Sequence, residues 1–267
     1  MADQRIIINI DSNWLLTHLS FDERQIFVFE NTWKLRLVTI FDSVGMSQKI
    51  WESQVGPSGS AEGKYSWEIN DTFKQMVTVY SDMIPRMNIE LNLEDSSIAL
   101  ESHGVSNGEH GFRWKETDIA IDGETTWDLD DTTVIAESHF DWRDLKLIMN
   151  AAQYMTCVTL KIDGSSNDVL WEGFNENGEK KWAHQNKRLN WKMGSAETKF
   201  QPCILKRILD GMEQTKTYGT NTQISILKSK LLMISTMETL AYMSPVVDED
   251  NQMAEGLCKD EEAPVVN

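Results

Sequence analysis

The chain has 267 residues, with 25 Lys and Arg against 42 Asp and Glu, a formal net charge of -17, and a composition 40% hydrophobic and 25% charged. These proportions belong to globular proteins and exclude disorder throughout, while the length allows one large domain or two of roughly 100–150 residues. With 15 Gly and 5 Pro, collagen-like and linker-dominated chains are excluded as well.

Taken in chain order, Arg5–Ile10 reads as a strand, followed by a short helix over Asn13–Ser20 that Asp11 or Ser12 can cap. Strands are expected at Gln25–Glu30 and Lys34–Phe41, and an exposed loop at Gly56–Gly63. A second helix is expected over Thr72–Tyr80, capped by Asp71, with Phe73, Met76, Val77 and Tyr80 at helical spacing. Arg86–Leu91 is a strand candidate and His103–Gly111 a loop.

A new strand is expected at Thr133–His139. Asp141 then opens a helix whose apolar stripe is Trp142, Leu145 and Met149. Strands Met155–Ile162 and Val169–Phe174 lead into the turn signal Asn175-Glu176-Asn177-Gly178. Pro202 suits a first helical turn, with Ile204, Leu205, Ile208, Leu209 and Met212 following at helical spacing. Thr222–Leu227 and Lys230–Thr236 close the series as strands.

The order strand, helix, strands, helix, strands thus occurs twice at an offset of about 130 residues, the signature of a duplicated domain and not of a solenoid. The chain divides into an N-terminal domain (1–119), a connector (120–132), a C-terminal domain (133–250) and an acidic tail (251–267). The fold class is α+β, two topologically similar domains, each with two helices on antiparallel sheets.

The negative charge is concentrated. Residues 114–139 hold eight acidic residues against Lys115, and 246–267 hold seven against Lys259, which leaves a nearly neutral body. A polyanionic partner is therefore compatible with the acidic total. Met1–Ile10 has no cleavage-site pattern, and Ile224–Met243 is interrupted by Lys228, Lys230 and Glu238, so neither a signal peptide nor a membrane span is expected. Three cysteines, Cys157, Cys203 and Cys258, without CxxC spacing point to a reducing compartment, without a disulfide framework or structural zinc.

Catalytic motifs are missing from the sequence: there is no GxSxG, Walker A, GxGxxG or HExxH. His103, His110 and Glu109 share a loop without metal-ligand spacing, and Asp128, Asp130 and Asp131 lack the pattern of an EF-hand. No enzyme activity, metal or cofactor is expected. A weak basic signal does run along the helices, with Lys74 on the second, Arg143 and Lys146 on the third, and Lys206, Arg207 and Lys216 on or just beyond the fourth. It fits an ordinary solvated face, and equally a phosphate-tracking surface if the helices lie side by side.

The stretch FQPCILKRILDGMEQTKTYGTNTQISILKSKLLMISTMETLAYMSPVVDED, Phe200–Asp250, resembles the C-terminal part of the proliferating cell nuclear antigen family of DNA sliding clamps. Phe41-Asp42-Ser43-Val44 and Tyr65–Ser102 resemble further segments of that family, so the likeness covers nearly the whole chain at low identity. The resemblance implies a DNA-clamp fold that closes into a ring around duplex DNA, as a sequence-independent processivity factor for DNA replication and DNA repair. It implies a trimer, contact with a DNA polymerase and a clamp loader, and a place in the nucleus or a viral replication compartment.

Further, it implies a partner-peptide pocket from Phe41, the connector residues Ile121, Trp127 and Leu129, and Tyr242, Met243, Pro245 and Val247. Subunit edges map to Gly111–Ile119, with Arg113 and Lys115, and to Gly178–Asn186, with Lys180, Lys181 and Trp182. The first helix carries no Lys or Arg, ten Trp are many for a clamp, and the tail runs past the acidic ending. These departures suit a diverged homotrimeric clamp, or one subunit of a heterotrimeric DNA-damage checkpoint clamp. A β-rich protein-interaction domain without DNA is the alternative from another class.

Overall fold

The computed structural model describes residues 5–20, 22–30, 34–42, 45–52, 58–59, 64–81, 85–102, 110–115, 120–121, 132–166, 168–186, 192–214, 222–236 and 239–246. The chain forms two compact units, Met1–Ile40 with Ser47–Leu129, and Phe41–Met46 with Asp130–Asn267.

The first unit runs β1 (Arg5–Asp11), α1 (Ser12–His18), β2 (Arg24–Glu30), β3 (Lys34–Phe41), β4 (Gly45–Glu52), β5 (Ser58–Gly59), β6 (Lys64–Glu68), α2 (Asp71–Ser81), β7 (Arg86–Asn92), β8 (Ser97–Ser102), β9 (His110–Lys115) and β10 (Ala120–Ile121). One antiparallel sheet has the order β5-β1-β7-β8-β9, and the other β10-β6-β2-β3-β4. Strand alternation does the sorting: in β1, Ile6, Ile8 and Ile10 are fully buried while their neighbours face outward. The core between the sheets is aromatic, with Trp67 and Phe27 each meeting Phe73 of α2 edge-on at 5.2 and 5.5 Å.

The second unit repeats this order: β11 (Val134–Phe140), α3 (Trp142–Ala152), β12 (Cys157–Asp163), β13 (Asp168–Phe174), β14 (Lys180–Asn186), β15 (Lys192–Met193), β16 (Ser195–Phe200), α4 (Pro202–Gln214), β17 (Thr222–Leu227), β18 (Leu232–Ser235) and β19 (Thr239–Met243). Its strands β19-β18-β17-β11-β15 stand in the same order as β9-β8-β7-β1-β5, and β14-β13-β12-β16 in the same order as β4-β3-β2-β6. The duplication expected from element order is therefore present down to strand pairing. Trp171 centres this core, edge-on to Phe140 at 5.6 Å and to Phe200 at 6.2 Å.

Three of the expected helix starts hold. Asp11 accepts from the Trp14 amide, Asp141 accepts from the Arg143 amide, and Pro202 opens α4. The second differs by one residue, since the Asn70 side chain accepts from the Phe73 amide at 2.9 Å and Asp71 lies in the first turn, where its charge suits the helix dipole. His110 and Gly111, expected in a loop, belong to β9. Ser58–Gly59, within the other expected loop, pairs with β1. Cys203 is disulfide-bonded, a single bridge where the sequence suggests no disulfide framework, while Cys157 carries no disulfide and is buried.

Several glycines are structurally required, Gly178 and Gly45 among them. Gly178 takes φ +72 in the turn before β14, as the Asn-Gly signal predicts. A side chain at Gly45 would meet Cγ2 of Ile204 at 2.8 Å, so α4 packs directly onto this backbone.

Candidate nucleic-acid interface and partner surfaces

In the second unit, α3 and α4 pack against each other, the condition under which their cations could add up. Helix α3 buries Trp142, Leu145, Ile148, Met149 and Ala152, which turns Arg143 out to solvent and leaves Lys146 half-buried. Helix α4 buries Ile204, Leu205, Ile208, Leu209 and Met212, leaving Lys206 and Arg207 half-buried beside that stripe. The stripes follow the 3.6-residue period, so the cations fall off the apolar face by the same arithmetic that forms it.

Lys206 and Arg207 each meet a carboxylate among the described residues. Lys206 Nζ lies 3.1 Å from Asp210, one turn on. Arg207 pairs with Asp42, and its guanidinium stands 5.8 Å from the centre of the Phe41 ring. Asp42 has φ +46, so the turn after β3 aims its carboxylate at α4. Asp141 and Asp144 flank Arg143 in sequence. The two helices thus carry cations beside their buried stripes, with the protein's own carboxylates close by. Lys216 lies outside the described residues.

The first unit departs from the expectation for Lys74. The sequence places it off the apolar stripe, but α2 buries it to 3% exposure, with Nζ donating to the Glu23 carbonyl at 3.3 Å. Its long stem covers core and its ammonium is directed to backbone, so it is not a surface phosphate ligand. Exposed positions of α1 and α2 are Asn13, Thr17, Asp71, Thr72, Gln75, Thr78 and Val79, without a cation.

Beneath α1 the packing is aromatic and apolar. His18 stacks on Trp14 at 4.3 Å, and its Nδ1 lies 2.6 Å from the Trp14 carbonyl. Since a carbonyl only accepts, Nδ1 carries the proton. Burial first, then the nearby Lys49 charge, lowers the His18 pKa to about 3, so the ring is neutral at physiological pH.

Both expected subunit edges are edge strands. β9 ends the five-stranded sheet of the first unit and β14 the four-stranded sheet of the second. Arg113 and Lys115 lie on β9, which stops at Lys115; 116–119 fall outside the described residues. On β14, Lys180 reaches Glu172 at 2.9 Å, Lys181 reaches Glu179 at 2.7 Å, and Trp182 packs partly against the core. Lys161 approaches Glu172 from the other side at 3.0 Å. Hydrogen bonds from Lys180 and then Lys161 hold the Glu172 carboxyl below its ordinary range.

Of the expected peptide pocket, Phe41 and Met243 are core residues of the second unit, 5% and 1% exposed, and Tyr242 is 6% exposed. Alternation explains Met243, since odd positions of β19 point inward with Ala241, while Tyr242 is buried on the opposite face. Pro245 is half-buried past the end of that strand. Ile121 forms β10 against Tyr65; Trp127, Leu129 and Val247 lie outside the described residues. The sequence reading missed a cavity of about 470 Å³ in the second unit, lined by residues of β12 and β16 together with Phe174, Gly178, Lys230, Pro245 and Val246. It escapes detection in the sequence because its walls come from five separated segments. Among the described residues no cluster of three or more His, Cys, Asp or Glu could hold a metal.

No protein-family model matches the chain, and no curated protein matches it by sequence. Solved structures do match. The DNA polymerase III beta chain of Streptococcus pneumoniae is 15% identical with a TM-score of 0.64, covering 91% of this chain and 65% of its own. The beta clamp of Helicobacter pylori, solved with a DNA ligase peptide, is 13% identical with a TM-score of 0.61, over 92% of this chain and 67% of that one. Proliferating cellular nuclear antigen of Entamoeba histolytica is 11% identical with a TM-score of 0.61, over 92% of this chain and its entire length. The chain spans about two thirds of the bacterial subunits and all of the amoebal one. It therefore has the fold of the DNA sliding clamps, with two clamp domains in one chain.

Proposed function

We propose that this protein is a sliding clamp, a non-enzymatic processivity factor whose subunits close into a ring around duplex DNA and tether replication and repair proteins. The observation that carries the reading is the doubled strand order, in which each unit places two helices beside each other and leaves edge strands at β9 and β14. An open sheet edge is a pairing template that soluble proteins rarely leave uncovered. A head-to-tail contact uses both edges at once, and a closing rotation makes a ring. Closure then supplies retention, so the α3–α4 face needs only a modest, sequence-independent attraction for phosphate.

Partner peptides would dock by the connector residues Ile121, Trp127 and Leu129 together with Pro245 and Val247. The Helicobacter clamp carrying a ligase peptide supports such a site. A nuclear or viral replication setting accompanies the same reading.

A second reading has its own support. β9 carries Arg113 and Lys115, and β14 carries Lys180 and Lys181. Copies joined by these two edges would set basic strands against each other, with Lys180 and Lys181 only partly offset by Glu172 and Glu179, which weakly disfavours a homotypic seam. One subunit of a heteromeric ring, paired with more acidic edges, avoids that repulsion. The full chain's solution mass tests both: three times 30.6 kDa supports the homotrimer, and a monomer that trimerises only with other subunits supports the heteromer.

A further inference from the structure

The cavity of about 470 Å³ in the second unit is built on the sheet face that turns away from the core. Val158, Leu160 and Ile162 of β12 enter the core, so alternation sends Cys157, Thr159 and Lys161 to the opposite side, where they line the cavity. Strand pairing orders this floor. Cys157 stands opposite Phe174 of β13, and Lys161 stands opposite Glu197 of β16. Cys157 and Lys161 are four residues apart, roughly 13 Å along an extended strand. The cavity therefore has an apolar end at Cys157 and Phe174 and a charged end at Lys161.

Two lysines converge on Glu197 at the charged end. Lys230, in the turn before β18, holds φ +69, a conformation that residues other than glycine seldom adopt. Its carbonyl accepts from the Thr198 hydroxyl at 2.6 Å, and its Nζ lies 3.5 Å from the Glu197 carbonyl, so β16 fixes this turn against the cavity wall. Lys161 reaches Glu172 at 3.0 Å and Glu197 at 3.7 Å. Glu172 is buried and shared with Lys180, whereas the Glu197 side chain is 64% exposed. A long, exposed ion pair contributes little, so the Glu197 carboxylate is one that another carboxylate can replace. Pro245 and Val246 complete the wall with apolar surface, the Val246 amide donating to the Lys199 carbonyl at 2.8 Å.

We propose that this cavity binds an elongated amphiphilic carboxylate, its head taking the place of Glu197 at Lys161 and Lys230, and its apolar body lying over Thr159 toward Cys157, Phe174 and Pro245. The volume is that of a small-ligand site, and such sites orient their occupant by a few polar groups on an apolar lining. The head gains charge-assisted hydrogen bonds while the body leaves water, so neither half suffices alone. The occupant is a small molecule, and its site goes beyond the clamp reading.

The test uses the full chain and decanoate, with decanol as the neutral control and acetate as the head without a body. Equilibrium dialysis of labelled decanoate should show saturable binding that weakens as salt screens the lysines. The alcohol and acetate should each bind at least about tenfold more weakly. Lys161→Met/Lys230→Met, folded by circular dichroism, should lose about tenfold in affinity for decanoate. Glu197→Gln should gain about threefold, because no resident carboxylate competes for Lys161. The absence of saturable decanoate binding, equal binding of acid and alcohol, or unchanged affinity in the folded double-lysine variant would each overturn the proposal. None of these readouts depends on DNA or ring formation, so the ligand site and the clamp reading fail separately.

Discussion

Replacing Asp42 by Asn isolates the contribution of one cation on the α3–α4 face. Asp42 sits at φ +46, a region that Asn tolerates nearly as well as Asp, so the backbone turn survives. The substitution removes one negative charge and leaves Arg207 over the Phe41 ring without its carboxylate. Both side chains are about one third exposed, so the lost pair costs stability of only about 0.5 kcal/mol. A guanidinium relieved of this one carboxylate is less neutralised and attracts phosphate more strongly. One added contact steepens the dependence of log K on log salt by about 0.9, which corresponds to about eightfold tighter duplex binding at 0.1 M salt, vanishing toward 1 M. Fluorescence anisotropy of a labelled duplex over a salt series reads both quantities. Arg207→Ala in the Asp42→Asn background should cancel the gain, a double-mutant cycle that assigns it to this guanidinium. An unchanged slope, or a gain that survives the loss of Arg207, refutes the assignment of this face to DNA.

Four further outcomes are expected. Arg143, Lys146, Lys206 and Arg207 changed together to Ala should weaken duplex association and flatten its salt slope, whereas Lys74→Met should leave the slope unchanged because the ammonium is buried. Trp182→Pro should disrupt β14, where Trp182 pairs with Gly173, and lower the mass of any assembly in sedimentation. Trp127→Ala should weaken binding of a clamp-interacting peptide by about 2 kcal/mol in calorimetry while leaving the assembly intact. The pH dependence of unfolding should change in His18→Gln. The folded-state pKa of about 3 lies below the ordinary 6.5, so the parent loses stability as pH falls through that window, by about 2–3 kcal/mol between pH 6.5 and 4.5. The variant should lose less, as measured by urea unfolding at the two pH values.

The duplication was legible because helix caps and apolar stripes are local signals: Asp11, Asp141 and Pro202 each announce a helix within four residues of sequence. Strands were legible where one face is wet. β6 and β8 were less so, because Tyr65-Ser66-Trp67 and Ile98-Ala99-Leu100 are buried throughout and do not alternate. β16 hides for the opposite reason, its polar SAETKF reading as loop until Thr198 bonds the Lys230 carbonyl at 2.6 Å. At the candidate site, periodicity placed Arg143, Lys146, Lys206 and Arg207 off the buried stripes. It failed for Lys74, whose burial depends on a backbone carbonyl 51 residues away. The pairing of Arg207 with Asp42, 165 residues apart, is a tertiary fact that no local pattern carries.

Retention on closed versus open DNA tests topological closure around the duplex most directly. The full chain, with any subunits that copurify, is equilibrated with nicked circular plasmid at a concentration where subunits exchange, then passed through gel filtration in high salt. A clamp stays with the circle, because screening removes attraction and not enclosure, and it is released when a single restriction cut linearises the plasmid. Equal loss from circular and linear DNA would contradict encirclement.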